Sequence, residues 1–247
     1  MSGRTFLSLV ATFRQEPTLE KAYVRSLFDS IAHRYDLLNH LLSGGVDLYW
    51  RARAIDHLQN LGPRKILDVA CGTGDFSIAA LKLKPERIIG VDISERMLEL
   101  GRKKLWNRKH DGIIRLETGE AENLPFADES FDAVIVAFGV RNFESLEKGL
   151  LEMRRVLATG GRLVVLEFSK PSAVPIRQLY LLYFRKLLPF LGKTVSGHPE
   201  AYTYLRDTVM QFPEGNGFLE KLRAAGFSQL REERLTFGIA TVYSGDR

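Results

Sequence analysis

The sequence of 247 residues contains one cysteine and no long uninterrupted apolar run. Cys71 cannot form a disulfide within the chain, which fits a reducing compartment such as the cytosol. A membrane-spanning helix needs roughly 18–20 predominantly apolar residues. The nearest candidate, Ile176 to Leu191, is interrupted by Arg177, Arg185, Lys186 and Pro189. We therefore expect this segment to lie on a membrane or to cover an apolar pocket, without crossing the bilayer.

Sequence motifs for metal binding are also missing. The chain has no C-x-x-C or H-E-x-x-H pattern, and its five histidines do not follow a ligand spacing, so we predict no metal site. Lys and Arg number 35 against 30 Asp and Glu, a formal charge of +5. The basic runs Arg102-Lys103-Lys104 and Arg108-Lys109-His110 are more typical of a solvated helix face than of a nucleic-acid site, and we expect no nucleic-acid partner.

The N-terminus carries a short apolar stretch from Phe6 to Phe13. Arg14-Gln15-Glu16 follows without the small-residue cleavage site of a secretory signal. We therefore expect a loose or docking tail and a cytoplasmic protein, with contact at the inner face of the membrane left open.

Short apolar runs alternate with helical patterns from Lys65 onward. This alternation predicts an α/β fold with a mostly parallel sheet and helices on both faces. A further helix begins near Leu146, and we expect Gly160-Gly161 to stop it. The other predicted strands and helices are Lys65–Ala70, Asp75–Leu83, Arg87–Asp92, Ser94 to about Trp106, Ile113–Thr118, Ala133–Phe138 and Leu163–Phe168.

The alternation of strands and helices stops near the end of the chain. Two strands near Phe227–Leu235 and Ile239–Tyr243 follow each other closely, so they can only be antiparallel neighbours. Residues from about 20 to 60 form a helical preface, and residues from about 170 to 210 form a helical insertion. A single domain over residues 1–247 is the simplest account, since no flexible linker or repeat is visible.

A glycine loop follows the first predicted strand. It reads Asp68-Val69-Ala70-Cys71-Gly72-Thr73-Gly74-Asp75 and opens directly into a helix. Small residues let a ligand approach the backbone, and the helix N-terminus offers free N–H groups. A dinucleotide-binding fingerprint needs a third glycine where Ser77 stands, and no phosphate-cradling G-x-x-x-x-G-K-[ST] motif is present.

Two carboxylates flank this loop. Asp92 ends the second predicted strand, where a carboxylate can accept both hydroxyls of a ribose. Asp68 places a second negative charge beneath the ligand, which disfavours a pyrophosphate and favours a cation or an ammonium group. S-adenosylmethionine carries a sulfonium and an amino group and no phosphate. The chemistry therefore favours this cofactor over NAD, although Asp68 could also serve as a turn or capping residue.

These motifs together resemble the class I methyltransferases, a fold with a seven-stranded, mostly parallel sheet. Further stretches are similar to one branch, the ubiquinone/menaquinone biosynthesis C-methyltransferases, and the similarity runs from about Val24 to the C-terminus. These stretches are Tyr35-Asp36-Leu37-Leu38-Asn39 with Leu42-Ser43 and Trp50, Phe138-Gly139-Val140-Arg141-Asn142, and Arg155-Val156-Leu157 with Gly160 through Pro171, whereas Gly119 through Asp132 belongs to the general class I pattern.

The resemblance implies cofactor-binding roles for residues on several of these motifs. They are Thr73, Asp92 and the pair Glu120-Ala121 beside the adenine, and the glycine loop itself adds Asp68, Gly72 and Gly74 to the predicted cofactor site. The chain departs from the family at Leu38, Asp47, Ala137 and Ala158-Thr159, and Asp47 stands where the family usually has a histidine. A catalytic histidine is therefore not expected at this position.

The resemblance also implies methylation of a ring carbon of a reduced quinone, most directly of demethylmenaquinol. Arg141 follows the fourth predicted strand, and we expect it to stabilise the phenolate with Asn142 orienting the ring; a salt bridge that pins the loop is the alternative. Tyr35 and Asn39 share a helix face. Asp36 is the candidate base, Tyr35 is a ring-stacking or hydrogen-bonding partner, and Asn39 is a candidate substrate-binding residue. These three could instead only join the preface to the core.

The insertion is rich in leucine and aromatic residues with basic residues at its edges. It could admit a prenyl tail and touch anionic lipid, or it could form core packing or a homodimer interface. The alternatives to the demethylmenaquinol reaction are methylation of the benzoquinol of ubiquinone synthesis, an RNA methyltransferase, and a protein that binds the cofactor or a quinone without turnover.

Overall fold

The computed structural model describes residues 21–182 and 199–247, with the backbone alone for residues 21, 34–42, 181 and 199–202. Within these residues the chain forms one seven-stranded sheet in the order β3-β2-β1-β4-β5-β7-β6. Its strands are β1 (Lys65–Val69), β2 (Arg87–Asp92), β3 (Ile114–Thr118), β4 (Phe131–Ala137), β5 (Leu157–Phe168), β6 (Ser228–Leu235) and β7 (Ala240–Asp246).

The first five strands pair in parallel, and β7 is antiparallel to both β5 and β6. The predicted fold class and the antiparallel pairing at the end of the chain are therefore confirmed. Because the sheet is covered on both faces, its central strands are apolar at successive positions; Ile66 belongs to one apolar cluster and Leu67 to the other.

Eight α-helices surround the sheet in the described part of the chain. They are α1 (Lys21–Ser43), α2 (Val46–Asp56), α3 (Asp75–Ala80), α4 (Glu95–Asn107), α5 (Leu146–Val156), α6 (Val174–Leu182), α7 (Pro199–Gln211) and α8 (Asn216–Ala224). Ser94 and Ser145 begin α4 and α5 by accepting hydrogen bonds from the backbone N–H groups of Met97 and Lys148. Helices α2, α3 and α4 cover one face, and α5 and α8 cover the other.

The predicted end of α5 at Gly160-Gly161 is wrong. The helix ends at Val156, and β5 begins at once, with Leu157 paired to Phe131. The register then shifts before the pairing resumes at Ala133 with Arg162, so the glycine pair lies in an irregularity of the strand. Gly161 has no room for a side chain, since an added Cβ would lie 2.8 Å from the Asp132 carbonyl oxygen.

Two predicted strand ends were one residue too long. Ala70 after β1 and Phe138 after β4 both have positive φ, 53° and 58°, so the chain turns sharply out of the sheet. A positive φ is costly for residues other than glycine and is concentrated at functional sites. Both turns lie at the carboxyl edge of the parallel strands, where an open α/β sheet binds its ligands.

The preface and the insertion meet above this edge. Helix α1 packs against α4, and buried residues from α1, α6 and α7 form a third apolar cluster of Val24, Leu27, Tyr180 and Tyr204. The predicted N-terminal tail and residues 183–191 of the insertion lie outside the described residues. No helix in the described part of the chain is long and apolar enough to span a membrane.

Candidate active site

A cleft opens at the carboxyl ends of β1, β2 and β4. It lies between the glycine loop and the α1 helix of the preface. Its lining consists of Val24, Phe28, Ala70, Gly72, Asp92, Ile93, Met97, Gly119, Ala121, Glu122, Ala137, Phe138, Gly139, Asn142 and Phe143. The lining combines apolar side chains with two carboxylates, Asp92 and Glu122, and one amide, Asn142.

The Asp92 carboxylate fixes the glycine loop. Its Oδ2 accepts the backbone N–H of Gly72 at 2.8 Å, and its Oδ1 accepts that of Ser94 at 2.9 Å. Burial raises the pKa of Asp92, and these backbone hydrogen bonds oppose the rise. A carboxylate has about four lone-pair sites, so it retains acceptor capacity for two further hydroxyl groups. The structure thus places Asp92 and Gly72 together at the cleft, as the sequence predicts.

Asp68 lies below the loop and is fully buried. Its Oδ2 accepts the hydroxyl hydrogen of Ser77 at 2.6 Å, whereas Oδ1 has no hydrogen-bond partner among the described residues. Burial raises the pKa of Asp68 to about 7. Ser77, which replaces the third glycine of a dinucleotide site, therefore holds the carboxylate that the predicted cofactor would need.

The other predicted cofactor residues are divided between the cleft and its surroundings. Ala121 lines the cleft, and Gly74 begins α3 with a φ of 84°. The Thr73 hydroxyl accepts a hydrogen bond from Lys104 Nζ at 2.8 Å, so this side chain is held outside the lining. Glu120 is exposed and pairs through its backbone with Asn123, outside the lining.

Arg141 lies in a short 3₁₀ turn, Val140–Asn142, directly after β4. Its Nη1 donates to Glu167 Oε1 at 2.6 Å and to the Phe138 carbonyl oxygen at 2.5 Å. The Arg141 side chain is 5% exposed and that of Glu167 is fully buried. The salt bridge expected as an alternative role is present, and the guanidinium lies behind the cleft lining. A catalytic role for Arg141 stays a prediction.

Asn142 does reach the cleft, and it is held from the insertion. Tyr204 on α7 donates its hydroxyl hydrogen to Asn142 Oδ1 at 2.9 Å. The Asn142 Nδ2 group lies 3.5 Å from the Phe138 carbonyl oxygen. Sequence reasoning missed Tyr204, because 62 residues separate it from Asn142 and neither forms a local motif with the other.

The preface covers the cleft through α1. Val24 and Phe28 belong to the lining, and their spacing of four residues could have indicated an apolar helix face. Asp29 accepts the hydroxyl hydrogen of Ser94 at 2.5 Å and so links α1 to the start of α4. The side chains of Tyr35, Asp36 and Asn39 lie outside the described part of the structure, so their predicted roles stay predictions.

A second buried ion pair, also missed from the sequence, supports the site from α2. Asp47 accepts hydrogen bonds from Arg51 and from the Ser43 hydroxyl, and both charged residues are nearly inaccessible. The Arg51 guanidinium lies 5.4 Å from the centre of the Phe138 ring. The position at which the resembling family usually has a histidine therefore carries a structural carboxylate here. Among the described residues no group of three potential metal-binding side chains is present.

These residues suit the cofactor predicted from the sequence. The unpartnered Asp68 Oδ1 offers a buried acceptor for an ammonium group, and Asp92 offers acceptors for ribose hydroxyls. Ala121 supplies an apolar wall for a flat ring. A pyrophosphate, in contrast, would meet two carboxylates and no basic side chain in the lining.

Comparison with known proteins decides the family. A model of the ubiE/COQ5 methyltransferase family matches residues 16–247. The chain belongs to the ubiE/COQ5 methyltransferase family. The match includes both the cleft and the two segments that cover it. The resemblance drawn from the sequence motifs is therefore confirmed, and the protein is an S-adenosylmethionine-dependent methyltransferase.

Similar proteins cover almost the whole chain. Demethylmenaquinone methyltransferase of Bacteroides fragilis is 47% identical over 225 residues, 91% of this chain and 92% of the relative. Ubiquinone/menaquinone biosynthesis C-methyltransferase UbiE of Geobacter sp. (strain M21) is 45% identical over 226 residues, 91% of this chain and 96% of the relative.

Solved structures agree on the fold alone. A SAM-dependent methyltransferase from Thermotoga maritima has a TM-score of 0.63 at 23% identity, covering 90% of this chain and 98% of that one. The [4+2]-cyclase SpnF has a TM-score of 0.64 at 17% identity, covering 91% of this chain and 95% of that one. Since a cyclase shares the fold, the reaction has to be argued from the family and the site.

Proposed function

We propose that the protein methylates a ring carbon of demethylmenaquinol and so forms menaquinol. The observation that carries the proposal is the cleft itself, in which the Asp92 carboxylate lies beside an apolar lining from the preface and the β4 turn, with Asp68 buried below the glycine loop. The names of the similar proteins in Bacteroides fragilis and Geobacter point to the same class of substrate. Methylation of the benzoquinol of ubiquinone synthesis is the second candidate, since the Geobacter relative's name includes both quinones.

The reaction needs an electron-rich carbon aligned with a methyl donor. When bound, S-adenosylmethionine supplies the electrophilic methyl group. The protein's own residues orient the ring and exclude water, and correct alignment is a large part of such catalysis. Phe28 and Phe143 in the lining offer apolar surfaces for the ring, and Asn142 offers an amide to one ring oxygen.

Removal of a phenolic proton gives the neighbouring ring carbon its nucleophilic character. We assign Arg141 to stabilise the resulting negative charge from behind the Asn142 turn, where Glu167 holds the guanidinium in place. The guanidinium stays protonated and cannot accept the proton. Asp36 is the proposed base, with Tyr35 hydrogen-bonded or stacked beside the ring and Asn39 on the same helix face contacting it. The methylated carbon then gives up its hydrogen as a proton, the ring oxygen takes up a proton, and the aromatic hydroquinol is restored, so one proton is released for each methyl group transferred.

A lipid surface is the proposed source of the prenylated quinol. Phe237, in the turn between β6 and β7, is 74% exposed with a φ of 58°. Trp50 on α2 donates to Thr236 in the same turn at 2.7 Å, which brings the exposed Leu48 and Tyr49 to this edge of the sheet. Exposed aromatic and aliphatic residues of this kind suit an interface with the inner face of the membrane. A homodimer stays a prediction.

The test of the proposed function is methyl transfer from labelled S-adenosylmethionine to chemically reduced demethylmenaquinone, with the benzoquinol analogue as a parallel substrate. Label in the naphthoquinol alone is the expected result, and label in both would indicate one enzyme for two pathways. Label in neither, with cofactor binding intact, would refute the quinol assignment.

A further inference from the structure

Tyr204 connects the insertion to the turn that follows β4. Its hydroxyl donates to Asn142 Oδ1 at 2.9 Å. The ring is 8% exposed and packs in the cluster with Val24, Leu27 and Tyr180. The Tyr23 ring meets it edge-on at 6.0 Å between centroids. The hydroxyl is therefore held in one place by helices from both the preface and the insertion.

The direction of this hydrogen bond decides which end of the Asn142 amide faces the cleft. An asparagine side chain has one acceptor oxygen and one nitrogen with two N–H donors. Tyr204 donates to the oxygen, and burial raises the pKa of Tyr204 to about 12, so the hydroxyl keeps its proton at neutral pH. One N–H of Nδ2 points toward the Phe138 carbonyl oxygen at a long 3.5 Å, which leaves the other for a ligand.

We propose that Tyr204 is a positioning residue that orients the Asn142 amide, so that Nδ2 donates a hydrogen bond to an oxygen of the quinol ring. The proposal rests on the proposed function and adds to it a residue of the insertion. A ring oxygen accepts hydrogen bonds in the quinol and accepts them more strongly in the phenolate. If the Asn142 amide were reversed, its Oδ1 would face the ring oxygen, and two acceptors would repel each other. The insertion thereby contributes to the orientation of the substrate through Tyr204.

The first test compares Tyr204→Phe with Tyr23→Phe, which removes a hydroxyl from the exposed ring that contacts Tyr204 edge-on. One buried hydrogen bond contributes about 0.5–1.5 kcal/mol, so Tyr204→Phe should lower kcat/KM for the quinol about 2- to 10-fold. The loss should lie mainly in KM, because the bond to the ring oxygen forms before the chemical step. Tyr23→Phe should stay within twofold of the wild type, and both variants should bind S-adenosylhomocysteine normally.

The second test is a double-mutant cycle with Asn142→Ala. If Tyr204 acts through the amide, Tyr204→Phe has no further effect on kcat/KM once the amide is gone. A side chain that only stabilises the fold would cost the same factor in both backgrounds, and that result would overturn the proposal. Unchanged kinetics in Tyr204→Phe would overturn it as well.

Two further measurements separate this proposal from the proposed function. Affinity for an oxidised naphthoquinone, measured with S-adenosylhomocysteine bound, should fall in Tyr204→Phe and in Asn142→Ala by similar factors; unequal factors would overturn the proposal. Absence of methyl transfer by the wild type would instead refute the proposed function. If Tyr204→Phe does not fold, Asn142→Asp retains the acceptor for Tyr204 and loses the donor, and it should raise KM for the quinol; an unchanged KM would overturn the proposal.

Discussion

Replacement of Asp92 by asparagine should lower both the stability of the fold and the affinity for the cofactor, and the magnitudes follow from the hydrogen bonds of this carboxylate. The carboxylate accepts the backbone N–H groups of Gly72 and Ser94, one on each oxygen. An asparagine has one acceptor oxygen, so one of these N–H groups loses its partner. An unsatisfied buried donor costs about 1–3 kcal/mol, and the free energy of unfolding should fall by that amount.

The loss of cofactor affinity in Asp92→Asn should exceed the loss that destabilisation of the fold alone would cause. Hydrogen bonds to a charged group contribute about 1.5–3 kcal/mol each, and Asp92→Asn removes at least one such bond to the ribose. Loss of one bond corresponds to about a 10- to 150-fold rise in the dissociation constant. Isothermal titration calorimetry with S-adenosylhomocysteine measures this affinity, and differential scanning fluorimetry reports the change in stability.

Asp29→Asn is the matched control. Asp29 bonds the Ser94 hydroxyl at the same helix start and is absent from the cleft lining. The control removes an equal charge from the neighbourhood of Asp92, and its affinity for S-adenosylhomocysteine should stay within about threefold of the wild type, since this side chain makes no ribose hydrogen bond. If Asp92→Asn also stayed within threefold, the assignment of Asp92 to the ribose would be refuted.

Three other experiments test the Asp68 carboxylate, the Arg141 guanidinium and the packing of α4. Affinity for S-adenosylhomocysteine should decrease below about pH 7, because Asp68 takes up a proton there. Calorimetry on Asp68→Asn should show that this part of the pH dependence is lost. An equal pH dependence in both proteins would contradict the binding of the cofactor's ammonium group by Asp68. Arg141→Lys should lower kcat about 100-fold in steady-state assays, because one ammonium cannot replace the planar fork, and full turnover would refute its role. Gly101→Ala places a Cβ 2.5 Å from Leu116 Cδ1 and should lower the free energy of unfolding in urea by about 1–3 kcal/mol. The control Gly112→Ala meets open space and should lower it by about 0.5 kcal/mol or less. Equal decreases in the two variants would contradict the close packing at Gly101.

Local sequence signals predicted the sheet and the glycine loop well. Apolar runs and helical spacing are properties of neighbouring residues. The succession of strands and helices along the chain could therefore be predicted without any knowledge of tertiary contacts. The link from Asp92 to Gly72 was also foreseeable, because adjacent parallel strands bring their carboxyl ends together. The glycine pair Gly160-Gly161 misled the prediction, because two glycines are equally typical of a helix stop and of an irregular strand.

The charges and hydroxyl groups that fix the cleft could not be predicted in the same way. Arg141, which follows β4, pairs with Glu167 on the neighbouring strand β5. Tyr204 on α7 bonds to Asn142, which lies 62 residues earlier in the chain. The Asp47–Arg51 pair has the spacing of an ordinary surface ion pair on a helix and is buried only because α2 packs on the sheet. Such roles depend on how whole elements pack, which a one-dimensional pattern does not contain.

Transfer of the methyl group to a carbon of the quinol ring can be observed directly. Carbon NMR is measured on the product formed from demethylmenaquinol and S-adenosylmethionine labelled with carbon-13 in the methyl group. We expect a labelled methyl group bonded to a ring carbon. A labelled methyl group on a phenolic oxygen, or an unlabelled quinol recovered from enzyme that binds the cofactor, would contradict it.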